Sequence, residues 1–352
     1  MGIKRLNNFL ESYDALKYHN NIGDFIRSFK NDGYQCFNTR NNTFVIGVDL
    51  MLYAHKYEYS CDSIYPGFLN QILNFMSNQI IPIYIIDGTA PIEKADIINS
   101  RNQKKEKINE KIVNLKSQLN DAALNENEKN KILKELKKLN KSNINITSEH
   151  ISNLMMMFDI FHIPYIRANG EADNLIATLY KKKIINACLS EDMDILVFGC
   201  KKMIKFKSNK IIEYDLEYIL DKLKLEYKNF IELCILFGCD YLKPLLRDKP
   251  DIIYNNYINQ NNINNMFDDL NLNNEIILKY LEDFKKTKDI FINSNNEYLP
   301  YLKTDLKEID IEELHQFIDN TCNYNFNNNI KYQISHINYL IKNKKFTNII
   351  IK

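Results

Sequence analysis

Apolar positions run almost unbroken through Thr43-Phe44-Val45-Ile46-Gly47-Val48 and stop at Asp49, which predicts a short buried strand ending in a carboxylate. Residues 66–80 then place Phe68, Ile72 and Phe75 at helical spacing. Ile81-Pro82-Ile83-Tyr84-Ile85-Ile86 repeats the strand pattern and again ends in an acid, Asp87, with Gly88 behind it for a turn. Strand, helix, strand, with acids at the strand ends, is the pattern of a parallel sheet that carries its chemistry along one edge.

From about Asn99 to Lys141 the pattern becomes charged, with apolar residues at helical spacing (Ile108, Ile112, Leu115 and Leu119, then Ile132, Leu133, Leu136 and Leu139). It predicts two helices with a polar break near Asn125-Glu126-Asn127. Basic residues outnumber acidic ones here by roughly two to one. Alternation then resumes: a helix over 148–161, a strand at 163–166, a helix over 171–182, a strand at 186–189, and a hairpin of 203–207 with 210–214. Beyond Leu216 the pattern is mostly helical. The expected fold is α/β, a central mostly parallel sheet flanked by helices, with a helical insertion and a helical C-terminal region.

Composition adds bounds. The 352 residues are 45% hydrophobic and 26% charged, enough for a substantial core. Glycine (9) and proline (7) are scarce, so long flexible linkers are not expected. The abundance of Asn, Ile, Lys and Tyr reflects an A/T-rich genome. A net charge of +1 shows no global basic excess, so any polyanion would have to meet a local basic surface. The seven cysteines form no CxxC pairs, which speaks against zinc and for reduced thiols in an intracellular protein. No apolar run approaches the length of a membrane span, and polar residues interrupt the N-terminus where a signal peptide would lie. The expectation is a soluble intracellular protein without a membrane partner.

Acids recur at strand ends and helix starts: Asp49, Asp87, Glu171 with Asp173, Asp192 with Asp194, and Asp240. Singly, each reads as a turn or a helix cap. Brought to one sheet edge they would repel one another unless divalent cations neutralise them. All-oxygen ligands suit Mg²⁺ or Mn²⁺. Two such ions serve phosphoryl transfer. This points to a metal-dependent phosphodiesterase or phosphatase.

The contexts of these acids resemble one family. Met1-Gly2-Ile3, Val48-Asp49, Asp87-Gly88 with Pro91, Gly170-Glu171-Ala172-Asp173, Glu191-Asp192-Met193-Asp194 through Gly199, and Cys234 through Cys239-Asp240-Tyr241 are similar, in order, to the flap endonuclease/XPG-like 5′-nucleases. The resemblance implies a PIN-like nuclease fold and two Mg²⁺ ions, with Mn²⁺ able to substitute. One ion would be held by Asp49, Asp87 and Glu171, the other by Asp192, Asp194 and Asp240, with Asp173 between them. It implies that Lys94 and Arg101, stacked on one helical face, act on the scissile phosphate. His55 would stack on a base near the cut, and Gly2 would lie at the DNA. Histidine at that position, with Phe198-Gly199-Cys200-Lys201-Lys202, leans towards 5′→3′ mismatch-repair exonucleases. The charged hairpin becomes an arch for a single-stranded 5′ end, held by Lys104, Lys105 and Lys107.

The same resemblance implies boundaries and partners. Residues 1–98 and 147–240 would form the nuclease core, 99–146 the arch, and 241–352 a helical DNA-binding region. The substrate would be DNA with a 5′ flap, nick, gap or free 5′ end, cut by a monomer in the nucleus or another site of DNA replication such as a viral factory. One departure stands out. The family's Gly-x-Gly turn after the last ligand is replaced by Leu242 to Pro250, so duplex grip there is weaker or falls to Lys243, Arg247 and Lys249. The C-terminus shows no sliding-clamp peptide. An RNA-directed nuclease on the same fold and a non-catalytic DNA-binding replication factor are the competing readings; the full set of acids disfavours the second.

Overall fold

Every position of the two apolar runs is buried: they form strands Phe44–Asp49 and Ile80–Ile86, paired in parallel. Strands sealed on both faces read as continuous apolar runs, which is why they stand out in the sequence. The structure, a computed structural model, describes residues 2–3, 5–31, 43–61, 63–119, 125–208, 210–260, 263–267, 273–293, 299, 302–303, 305–322, 324–346 and 350–351. In chain order the strands are β1 (Lys17–His19), β2 (Phe44–Asp49), β3 (Ile80–Ile86), β4 (Tyr165–Arg167), β5 (Ala187–Leu189), β6 (Lys202–Lys207), β7 (Lys210–Asp215), β8 (Leu302–Lys303) and β9 (Ile350–Ile351). The helices are α1 (Leu6–Ser12), α2 (Ile22–Asn31), α3 (Leu50–Cys61), α4 (Ile64–Ser77), α5 (Ala95–Leu119), α6 (Glu126–Ser142), α7 (Ser148–Ile160), α8 (Ala172–Lys181), α9 (Asp194–Val197), α10 (Leu216–Leu223), α11 (Tyr227–Phe237), α12 (Pro250–Gln260), α13 (Asn274–Asn293), α14 (Ile311–Phe317) and α15 (Asn328–Lys342).

The main sheet has the order β1-β7-β6-β5-β2-β3-β4. Pairs from β6 through β4 are parallel, and β1 and β7 close one edge antiparallel. The chain builds outward from β2 to β3 and β4, then crosses back to lay β5 on the other side of β2. The crevice at that reversal, beyond the carboxyl ends of the strands, is where open α/β sheets hold their ligands. Side chains from two helices lock the central layer. Tyr84 of β3 stacks on Phe158 of α7, with ring centroids 4.2 Å apart, and donates its hydroxyl to Gln71 Oε1 of α4 at 2.8 Å.

The expected helical insertion is α5 and α6. The second of these helices begins earlier than the pattern suggested. Asn125 is the N-cap of α6: its side chain accepts the Glu128 N–H while Glu128 accepts the Asn125 N–H, so Glu126 and Asn127 already belong to the helix. The C-terminal region is largely helical, and the short pair β8–β9 was not expected. Two of its helices return to the core, α14 against α7 and α15 against α4.

Candidate active site

Asp49 is the last residue of β2, and its Oδ1 accepts the Leu52 N–H at 3.0 Å, capping α3. Asp87 follows β3 and accepts the Ala172 N–H at 2.8 Å, which ties it to the start of α8. Glu171 is the N-cap residue of that helix and Asp173 lies in its first turn. Beyond β5, Asp192 Oδ1 accepts the Asp194 N–H at 3.1 Å, and Asp194 opens α9. Asp240 comes from the loop after α11. Six of the seven acids (Asp49, Asp87, Glu171, Asp173, Asp192 and Asp240) line one cleft of about 290 Å³ at the carboxyl edge of the sheet. Asp194 sits beneath it, fully buried.

The electrostatics are those of crowded carboxylates. Burial, then the neighbouring charge of Asp87, pushes Asp49 up to about 7. Burial also raises Asp87, Asp173, Asp192 and Asp194, and Asp173 and Asp194 are raised further by the charge of Asp192. Asp173 Oδ1 and both carboxyl oxygens of Asp194 are buried without a hydrogen-bond partner. Buried acceptors of this kind demand a counter-charge. Hard oxygen donors and orphaned buried oxygens together fit Mg²⁺ or Mn²⁺.

Two cations already answer part of that demand. Lys94 Nζ lies 2.7 Å from Glu171 Oε1, and Arg101 Nη2 lies 2.7 Å from Asp240 Oδ2. Among the described residues no three His, Cys, Asp or Glu side chains are grouped as ligands of a single ion. Burial opposes the Lys94 charge, but Glu171 and Asp194 outweigh it and hold the ammonium ionised. The expected stacking on one helix is modified: Lys94 closes a 3₁₀ turn, Ile92–Lys94, that runs into α5, which carries Arg101.

His55, on α3, borders both this cleft and a second groove shared with Tyr59, Lys105 and Lys141. Burial, and then Lys105, lowers its pKa. Lys104 and Lys107 are exposed on α5. Gly2 lies against the acids with φ at 75°, and a Cβ there would stand 1.9 Å from Asp192 Oδ1, so a side chain at this position would strain the backbone and displace the Asp192 carboxylate. Lys243, Arg247 and Lys249 are exposed on the loop between α11 and α12, outside the cleft lining. That loop turns at Gly238, φ 93°, where a Cβ would meet Pro244 Cδ at 2.5 Å. This glycine–proline contact shapes the segment that lacks the Gly-x-Gly turn. Sequence reasoning gave no role to Tyr241, whose hydroxyl donates to Glu171 Oε2 at 2.6 Å. The only signal was its place directly after Asp240.

Sheet order, carboxyl-edge cleft and arch-like helix pair define a PIN-like nuclease fold. Solved structures agree: the catalytic core of Rad2 in complex with DNA substrate superposes with a TM-score of 0.62 at 18% identity, covering 95% of this chain and 98% of that one. Flap endonuclease-1 from Methanococcus jannaschii gives 0.59 at 20%, covering 86% and 94%. Residues 162–240 match the XPG I-region family. Flap endonuclease 1 of Plasmodium knowlesi is 28% identical over 299 residues, which is 80% of this chain and 47% of that protein. The chain is thus similar to the flap endonuclease/XPG-like nucleases over most of its length. It spans about half the length of the Plasmodium relatives it matches. Among the described residues no helix is long and apolar enough to cross a membrane.

Proposed function

We propose that this protein is a structure-specific 5′-nuclease that hydrolyses phosphodiester bonds of DNA as a 5′-flap endonuclease, a 5′→3′ exonuclease or both. The observation that supports it most is the cleft itself: six acids from five segments over a buried seventh, with two cations reaching in from one side. Asp49, Asp87 and Glu171 would hold one Mg²⁺, Asp192, Asp194 and Asp240 a second, with Asp173 between, and Mn²⁺ would substitute. When bound, such ions supply Lewis-acid stabilisation of phosphoryl oxygens and acidify water. The chain's own groups do the rest. Lys94 and Arg101 stabilise charge growing on the scissile phosphate. His55 stacks on a base beside it, and Gly2 lets backbone approach closely. The core, 1–98 with 147–240, carries the chemistry, and the arch, 99–146, holds a single-stranded 5′ end through Lys104, Lys105 and Lys107. The region 241–352 grips duplex, with Lys243, Arg247 and Lys249 facing its phosphates. The protein acts as a monomer where DNA is replicated or repaired.

The test is cleavage of end-labelled flap, nicked and blunt duplexes in Mg²⁺, with product lengths read on a gel and matched RNA flaps alongside. Wild type is expected to cut DNA near the junction or from the 5′ end. Asp192→Asn is expected to bind DNA and not cut it. Absence of cleavage by wild type on every DNA, in Mg²⁺ and in Mn²⁺, overturns the proposal.

A further inference from the structure

Tyr241 makes contact with both kinds of charge in the cleft. Its hydroxyl donates to Glu171 Oε2 at 2.6 Å, while Glu171 Oε1 is ion-paired with Lys94. The same ammonium lies 4.6 Å from the centroid of the Tyr241 ring. One side chain therefore holds an acid by its O–H and a cation by its π-face. The ring is itself held from behind. Phe291 of α13 meets it edge to face, with centroids 5.4 Å apart and planes at 88°, and Phe291 packs in turn on Phe198 at 4.9 Å. Phe291 is completely buried, so the support is rigid and comes from a helix outside the nuclease core.

We propose that Tyr241 is a positioning residue: its hydroxyl fixes the orientation of Glu171, its ring restrains Lys94, and Phe291 braces it from α13. This rests on the nuclease reading, in which Glu171 holds an ion and Lys94 meets the phosphate. Glu and Lys are long, rotatable side chains, and a misplacement of about an ångström at a reacting centre can cost a hundredfold in rate. Carboxylates that hold metals are commonly fixed by such hydrogen bonds, and loss of the partner typically costs about 10–100-fold in metal affinity or activity. A tyrosine that merely filled space would not need its hydroxyl.

Tyr241→Phe separates these roles, because it keeps the ring, the contact with Phe291 and the face beneath Lys94, and deletes only the O–H. The expected result is a single-turnover cleavage rate lower by about 10–100-fold, with DNA affinity and melting temperature close to wild type. Mn²⁺ affinity of the DNA-free protein, followed by calorimetry, is expected to fall about tenfold or more. Tyr241→Leu removes the ring as well and is expected to fall further in rate. Phe291→Leu, which keeps an apolar filling but loses the edge contact, is expected to show a smaller rate loss in the same direction. Wild-type rate and wild-type Mn²⁺ affinity in Tyr241→Phe would overturn the proposal while leaving the nuclease reading intact. A wild type that cuts no DNA, with Mn²⁺ affinity still lost in Tyr241→Phe, would overturn the nuclease reading and keep the positioning of Glu171.

Discussion

Arg101 Nη2 and Asp240 Oδ2 lie 2.7 Å apart, joining the first arch helix to the loop after α11 across 139 residues of chain. Arg101 is about half exposed, and an ion pair at such a position contributes roughly 0–1 kcal/mol to stability. Its value is therefore not structural. On the proposed nuclease reading, a guanidinium at the mouth of the carboxylate cleft stands where a phosphate would pass, and its planar fork can exchange one oxygen anion for another.

Arg101→Ala is accordingly expected to lower single-turnover cleavage by about 10²–10³-fold, the usual cost of removing one donor to a developing charge. Thermal stability is expected to stay near wild type. Arg101→Lys is expected to recover part of the rate only, since an ammonium lacks the two-pronged geometry. Cleavage by Arg101→Ala at the wild-type rate would refute the role.

The parts of this fold that were legible in the sequence are the parts buried on both sides. β2 and β3 announce themselves as apolar runs, and their terminal acids mark the functional edge. β1 does not: Lys17-Tyr18-His19 carries no apolar pattern. Its hold comes from pairing with β7 and from a buried charge network in which Lys202 meets Glu213 at 3.0 Å and Asp215 at 2.7 Å. Such a network depends on tertiary neighbours and leaves no periodic trace. β8 and β9 span two residues each and are too short for any periodicity to show. The acids of the site could be read because their local contexts are distinctive. Tyr241 could not, because its partners Glu171 and Phe291 are brought to it only by folding.

The arch offers a test by salt. Lys105 borders the groove that continues from the cleft past His55, and Lys104 and Lys107 are exposed close by on α5. Single-strand binding loses affinity with salt at a slope near −0.7 per phosphate neutralised. Replacing all three lysines with Ala is expected to weaken binding of DNA with a 5′ single-stranded tail and to flatten that slope by up to about two units. Blunt duplex should be affected less. Fluorescence anisotropy between low and moderate salt reads both quantities, and an unchanged slope would make the hairpin a solvated appendage.

The crowded acids predict an unusual pH profile for metal-free protein. Asp49 is held at about 7, chiefly by burial and then by Asp87, above its ordinary 3.8. A raised carboxyl means that the folded state binds the proton more tightly. Its contribution is therefore complete below 3.8 and lost as pH rises towards 7. Asp87, Asp173, Asp192 and Asp194 act in the same direction. Glu213 and Asp215 act in the opposite one. Burial works against their charge, but hydrogen bonds from His19 and Lys202 to Glu213, and from Lys202 and Lys17 to Asp215, hold both low. Their contribution is present above their ordinary values and disappears as pH falls through the lowered ones. The Tm in EDTA is thus expected to peak at about pH 4–5 and to decline towards pH 8. Mg²⁺ should raise Tm more at pH 8 than at pH 5, because protons compete for the same oxygens. A metal-free Tm that climbs steadily from pH 5 to pH 8 would contradict the burial of these acids as described.

His55 separates stacking from proton chemistry. It lies on α3, six residues beyond Asp49, and faces both the cleft and the arch groove. Burial and then Lys105 favour its neutral form, so a cationic contact to phosphate is disfavoured there. A neutral ring at the cleft mouth is suited to packing on an exposed base, a contact of about 1–3 kcal/mol by alanine substitution. When the contact also places the scissile phosphate, the loss should fall mainly on turnover. His55→Ala is expected to cut about ten- to a hundredfold more slowly, and His55→Tyr to retain much of the activity, since stacking needs a π-face and not an imidazole proton. Single-turnover rates, with circular dichroism to confirm folding, decide the matter. If His55→Tyr is as slow as His55→Ala, the ring nitrogens are required and stacking is the wrong role.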